Sequence, residues 1–191
     1  MKKISLVLAF LAAISTHTFS QNFDLSILDK AGTLINDGHQ KKAGLVLSDA
    51  LMGIKDEVSG TSNSFTPKVL SQVSALSSFI PALKSGNANV SGIQKIISLI
   101  KTAVAAQRLK GMLNGGGLLG KSSQLQSNVG ILQSGLSMLG NSGSTSKVSK
   151  LLNVVGKKSG KLDGSGFGAK LAEKAVSKKL GSSLNLIEGL L

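Results

Sequence analysis

The 191-residue chain contains no cysteine. Disulfide bonds, thiol catalysis and a lipid anchor on cysteine are therefore excluded. Tryptophan and tyrosine are also absent, and the six phenylalanines are the only aromatic residues. A core made of Leu, Ile, Val and Ala packs in thin layers, which suits helices that approach one another closely.

Acidic residues are missing from a long central stretch. Residues 58–162 contain no Asp or Glu but hold eleven Lys and one Arg, whereas residues 24–57 carry six acids and four Lys. The net charge of the whole chain is +13. Such a cationic block attracts anionic partners, namely lipid headgroups, lipopolysaccharide, acidic glycans or nucleic acid, although the same lysines also suit a surface kept only for solubility.

Long apolar runs are absent except at the start of the chain. Lys2 and Lys3 precede an apolar run over residues 4–14, and Thr18 and Ser20 occupy the −3 and −1 positions of a signal-peptidase site before Gln21. The run is too short for a membrane span, which takes about 20 residues. The sequence thus predicts an exported protein that is periplasmic or secreted, with attachment to the periphery of the envelope as a further option. After cleavage of the signal peptide, no integral membrane span is expected.

Apolar residues recur at spacings of three and four along most of the chain, and no segment alternates with period two. This pattern predicts an all-α fold, about six or seven short helices in an irregular bundle with Gly-rich hinges. Asp24 is expected to cap the first helix and Gly38 to end it, while Pro67 begins the third helix and Pro81 kinks or breaks it near Phe79.

Composition divides the chain into five parts. The predicted parts are a signal peptide (1–20), a mixed-charge helical hairpin (21–60), a cationic helical region (61–157), a Gly/Ser/Lys-rich linker (158–168) and a C-terminal helical tail (169–191). The tail is expected to break at Gly181.

Several glycines lie inside the predicted helices, where each costs about 1 kcal/mol relative to alanine. Two readings stay open for them: close approach of two helices, or a flexible and weakly stable helix. The glycines concerned are Gly53, Gly92, Gly130 and Gly135.

Residues 115–122, GGGLLGKS, match the G-x-x-x-x-G-K-S pattern of nucleotide-binding P-loops. A P-loop needs a buried strand before it and an Asp on a second strand to hold Mg²⁺. Here an amphipathic helix over residues 91–113 precedes the glycines, and the acids after Ser122 are Asp163, Glu173 and Glu188. We therefore interpret the pattern as the end of one helix and a connection to the next.

In this interpretation Gly115, Gly116 and Gly117 form a hinge about which the preceding helix moves. Ser122 or Ser123 is then expected to cap the following helix.

No catalytic, cofactor or metal site is predicted. His39 with Asp37 provides too few ligands for zinc, and no G-x-S-x-G motif presents a nucleophilic serine. A dedicated nucleic-acid role is also not expected, because the chain has one arginine and no aromatic residue between Phe79 and Phe167.

The helix over residues 91–113 has an isoleucine-rich face and a basic face, which fits both a bundle core and a membrane or partner contact.

The predicted function is that of an exported, non-catalytic helical protein that binds or scaffolds through a cationic surface in a bacterial-type envelope or outside the cell. The alternative is a membrane-active or lipid-binding protein, and an enzyme of unidentified type comes third. The expected partner is an anionic lipid or envelope component, or another protein. The residues predicted to contact an anionic surface are Lys95, Lys101, Arg108, Lys110, Lys121, Lys147, Lys150, Lys157, Lys158 and Lys161.

Overall fold

The computed structural model describes residues 22–138 and 143–191, so the predicted signal peptide lies outside the described residues. All regular structure in the described residues is helical, and seven α-helices have eleven or more residues, which confirms the predicted all-α class. The helices are α1 (Ser26–Asn36), α2 (Gln40–Ser59), α3 (Thr66–Ser77), the short α4 (Ile80–Ser85), α5 (Val90–Asn114), α6 (Ser122–Met138), α7 (Gly143–Ser159) and α8 (Phe167–Glu188), with a 3₁₀ helix (Gly160–Asp163) before α8.

Local signals set several helix ends as predicted. The Asp24 carboxylate accepts a 2.9 Å hydrogen bond from the Ser26 backbone N–H at the start of α1. This backbone hydrogen bond is the main reason that the pKa of Asp24 lies below its ordinary value of 3.8. Gly38 takes a left-handed φ of +77° after α1, and Pro81 lies in the first turn of α4, separate from α3.

The predicted break at Gly181 is wrong, because α8 continues through that residue to Glu188. The side chains on either side of the glycine explain why. Leu180 and Leu184 are fully buried, and burying each contributes about 1.5–3 kcal/mol, which outweighs the roughly 1 kcal/mol cost of a helical glycine.

The buried residues form two adjoining cores that share α5. The N-terminal core joins α1–α4 to the first half of α5, including Ile93, Ile97 and Ile100. The C-terminal core joins the second half of α5 to α6, α7 and α8, including Leu109. The isoleucine-rich face of α5 is therefore core, and residues 102–107 are buried all around the helix.

One of the helical glycines lies where two helices approach closely, and a second is packed by the segment before α1. A Cβ at Gly135 would overlap the Thr102 hydroxyl on α5, and one at Gly53 would overlap the Phe23 ring, so both positions mark close approach. A Cβ at Gly130 would meet no atom of another segment within 4 Å, so no packing contact requires a glycine at this position.

Candidate functional site

The glycine-rich loop between α5 and α6 depends on left-handed backbone at three positions. Gly116, Gly117 and Gly120 have φ values of +96°, +121° and +71°. Residues with a Cβ rarely adopt these conformations, so the loop requires its glycines for the backbone path itself. The element before the loop is helix α5, which agrees with the predicted helix and differs from the strand of a P-loop.

The loop is bound along its length by the 3₁₀ helix before α8 and by α8 itself. The Leu118 N–H donates to Glu173 Oε1 at 2.7 Å, and the Gly120 N–H donates to the Leu162 carbonyl oxygen at 3.0 Å. At the start of α6 the Ser122 N–H donates to Asp163 Oδ1 at 3.3 Å, and the Ser122 hydroxyl donates to Asp163 Oδ2.

Two backbone N–H groups of this stretch, those of Leu118 and Ser122, are thus bound by carboxylates of the same chain. The negative charge of Asp163 lies at the N-terminus of α6, where the helix dipole favours an anion. The expected cap from Ser122 or Ser123 is therefore corrected: the capping acceptor is Asp163, and Ser122 is a donor to it. The proposed hinge at Gly115, Gly116 and Gly117 stays a prediction, and the contacts of Leu118 and Gly120 tie the adjoining loop to the segment before α8 and to α8 itself.

Two of the predicted surface cations are bound within the chain. Arg108 Nε and Nη2 each donate to a Glu57 carboxylate oxygen at 2.7 Å, and Nη2 also donates to the Phe23 carbonyl oxygen at 2.6 Å. Only 11% of the Arg108 side chain and 8% of the Glu57 side chain remain exposed. Lys101 Nζ lies 2.6 Å from Asp29 Oδ2, so α5 is linked by charge to both α1 and α2.

A polar cleft opens beside the Arg108–Glu57 pair, between the N-terminal segment, α5 and α6. It comprises two adjacent cavities of about 550 and 510 Å³, and both are lined by Asn22, Arg108, Gln124 and Asn128. Three cations line the cleft: Arg108 and Lys101 already have carboxylate partners, and Lys121 is half-buried. The remaining lining is rich in amides and hydroxyls, which supply both donors and acceptors of hydrogen bonds.

The other predicted contact residues reach solvent to different extents. Lys110 and Lys121 are half-buried, and Lys121 lines the cleft. The exposed members of the predicted set are Lys95, Lys147, Lys150, Lys157, Lys158 and Lys161.

Helix α7 carries four of these lysines on a single face. At 100° per residue Lys147, Lys150, Lys157 and Lys158 fall within an arc of about 100°. The buried residues of α7, among them Leu152, lie on the opposite side against the C-terminal core. Lys161 follows in the 3₁₀ helix, and α8 adds four further exposed lysines, Lys170, Lys174, Lys178 and Lys179.

The acids of the C-terminal part leave these lysines without close partners. Residues 143–191 contain nine lysines and three acids. Asp163 and Glu173 are bound to the glycine-rich loop, and the two ion pairs found among the described residues involve Lys101 and Arg108, which lie on α5. We use the name lysine face for the nine exposed lysines that α7, the 3₁₀ helix and α8 carry together.

Sequence reasoning missed one feature of this region. Phe167 is 81% exposed and Leu171 is 58% exposed at the start of α8. The signal was available, because Phe167 is the only aromatic residue after Phe79 and stands among glycines in GSGFG, at an i, i+4 spacing from Leu171.

In the described ranges no cluster of three or more His, Asp or Glu side chains is arranged to hold a metal ion. No helix of residues 22–138 and 143–191 combines the length and apolar character needed to cross a bilayer. The chain matches no protein-family model, and neither curated proteins nor solved structures show a significant similarity to it.

Proposed function

We propose that this protein is exported and non-catalytic, and that it acts by binding an anionic component of a bacterial-type cell envelope or its surroundings through the lysine face. One observation carries the proposal. The nine lysines of residues 143–191 have no carboxylate partner within the described chain, because two of the three acids in that segment are used to hold the glycine-rich loop.

The lysine face suits a phosphate- or carboxylate-bearing surface or polymer. Lysine is a point charge on a flexible stem, so it reaches anionic groups without requiring a fixed geometry. Readers of nucleic-acid bases depend on arginine, and Arg108, the only arginine, is bound to Glu57. We therefore place nucleic acid below lipid headgroups and acidic glycans among the partners.

A charge-matched pair of variants tests the proposal. The first variant replaces Lys147, Lys150, Lys157 and Lys158 of α7 by glutamine, and the control replaces four exposed lysines of the N-terminal half, Lys30, Lys41, Lys42 and Lys55, by glutamine. Both lose the same net charge. Binding to anionic vesicles and to an acidic polysaccharide is measured at low and at high salt.

We expect the α7 variant to bind at least about 100-fold more weakly than the wild type, since each lysine near an anionic surface contributes about 1 kcal/mol. The control should lose far less, and the wild-type affinity should fall as salt rises. Equal losses in the two variants would mean that only net charge matters. Absence of wild-type binding to both ligands at low salt would refute the proposed function.

A further inference from the structure

The start of α8 presents an unusual surface for a helix in a folded protein. Phe167 is 81% exposed, more than any other large hydrophobic residue in the described chain, and Leu171 one turn later is 58% exposed. At 100° per residue, Phe167 and Leu171 lie in one arc of about 60° together with Lys174 and Lys178. The opposite side of α8 is buried in the C-terminal core.

We propose that Phe167 and Leu171 form an anchor that enters the acyl region of an anionic phospholipid bilayer while the neighbouring lysines bind the headgroups. This inference rests on the proposed function and names its partner. An apolar pair flanked by lysines on the same arc offers both attractions that bind proteins to membrane surfaces, apolar insertion and attraction to anionic lipid. Long lysine stems also allow the charge to stay in the headgroup layer as the helix approaches.

The charge and the small size of this patch both favour a bilayer over a protein as its partner. Lysine is depleted at protein interfaces, whose binding energy centres on Trp, Tyr and Arg. A stable protein interface also buries about 1,200 Å² or more, whereas this patch consists of two apolar side chains. Insertion into a bilayer sets no such minimum area, and the lysines supply the second attraction that stable membrane anchoring requires.

The first experiment removes the anchor and keeps the charge. Phe167→Ser with Leu171→Ser is compared with Leu45→Ser and Met52→Ser, a control pair on α2 that is 59% and 58% exposed. Binding of the purified protein is measured to vesicles of phosphatidylcholine alone and of phosphatidylcholine mixed with phosphatidylglycerol. We expect the α8 variant to bind the mixed vesicles roughly ten- to hundred-fold more weakly, with the residual binding abolished by salt, and the α2 variant to match the wild type.

The second experiment uses the absence of tryptophan and tyrosine from the chain. Phe167→Trp introduces a single reporter at the anchor, and Leu45→Trp introduces one at the control position. On mixed vesicles we expect the emission of the tryptophan at 167 to shift to the blue and to become shielded from an aqueous quencher. The tryptophan at 45 should change little.

The outcomes separate this inference from the proposed function. If the wild type binds mixed vesicles in a lysine-dependent way but the α8 serine variant binds equally well, the anchor is wrong and the proposed function stands. If the tryptophan at 167 stays in water on vesicles but is shielded when envelope proteins are added, the patch docks a protein and the lipid inference is wrong. If nothing anionic binds the wild type, both proposals fail.

Discussion

Individual glycines in α6 have opposite roles although they lie five residues apart on one helix. Gly135 faces α5 at a point where a Cβ would overlap Thr102, whose hydroxyl donates to the Ser98 carbonyl oxygen at 2.8 Å. Gly130 is exposed, and its Cβ position has no neighbour within 4 Å. The residue type alone therefore does not show why a glycine is present, because the neighbouring atoms in space decide whether a side chain would fit.

We expect Gly135→Ala to lower the free energy of unfolding by about 1–3 kcal/mol, because Thr102 is buried and its neighbours leave no room for a methyl group. Gly130→Ala on the same helix should raise that free energy by about 0.5–1 kcal/mol through the gain in helix propensity. Chemical denaturation of both variants measures the two effects. Two changes of the same sign would contradict the close approach of α5 and α6.

At the residue scale, sequence reasoning identified the cations but not their partners. It named Lys101 and Arg108 as surface contacts, and both are paired within the chain to Asp29 and Glu57. These partners are 72 and 51 residues distant in sequence. No local pattern indicates such a pairing, because it depends on how α1 and α2 lie against α5.

At the scale of elements, hydrogen bonds to α8 and to the preceding 3₁₀ helix hold the glycine-rich loop in its conformation. The fully buried Leu118 depends on Glu173 for its backbone hydrogen bond, and α6 depends on Asp163 for its N-terminal acceptor. Gly117 also needs to be glycine beside Glu173, since a Cβ there would lie 2.6 Å from Glu173 Oε1. The loop and the start of α8 therefore form one structural unit.

Glu173→Ala tests this unit. The substitution leaves the Leu118 N–H without its acceptor, and we expect it to cost about 1–3 kcal/mol of unfolding free energy and to speed hydrogen exchange at that amide. Glu173→Gln keeps an oxygen acceptor and should cost less. The control is Glu188→Ala, an acid at the C-terminal end of the same helix, which should change stability by under about 0.5 kcal/mol. Similar losses from Glu173→Ala and Glu188→Ala would show that Glu173 does not hold the loop.

At the scale of the whole molecule, α5 contributes buried residues to both cores. Its first half packs with α1–α4 and its second half with α6–α8. Phe65, from the segment before α3, also belongs to the C-terminal core. The predicted division at residues 60 and 157 is not tested by these contacts, but the packing of α5 predicts that the two cores unfold together.

Two leucine substitutions test this cooperativity. Leu47 in the N-terminal core and Leu152 in the C-terminal core are both fully buried. Changing either one to alanine should cost about 2–5 kcal/mol. Because α5 links the cores, we expect each variant to lower the protection of the slowest-exchanging amides in α2 and α8 alike. Loss of protection confined to the mutated core would show two independent units.

The sequence by itself determined the helical class, most helix boundaries and the segregation of charge, since these follow from residue spacing, caps, prolines and composition. It also showed that GGGLLGKS follows a helix and lacks the strand of a P-loop. Only the tertiary structure decided which lysines remain exposed, that carboxylates from beyond residue 160 bind the glycine-rich loop, and that Phe167 and Leu171 stay outside the core. The physical reason is the same in each case: hydrogen bonds, ion pairs and burial between distant segments depend on how the helices pack, and helix periodicity specifies a buried face without specifying its partner.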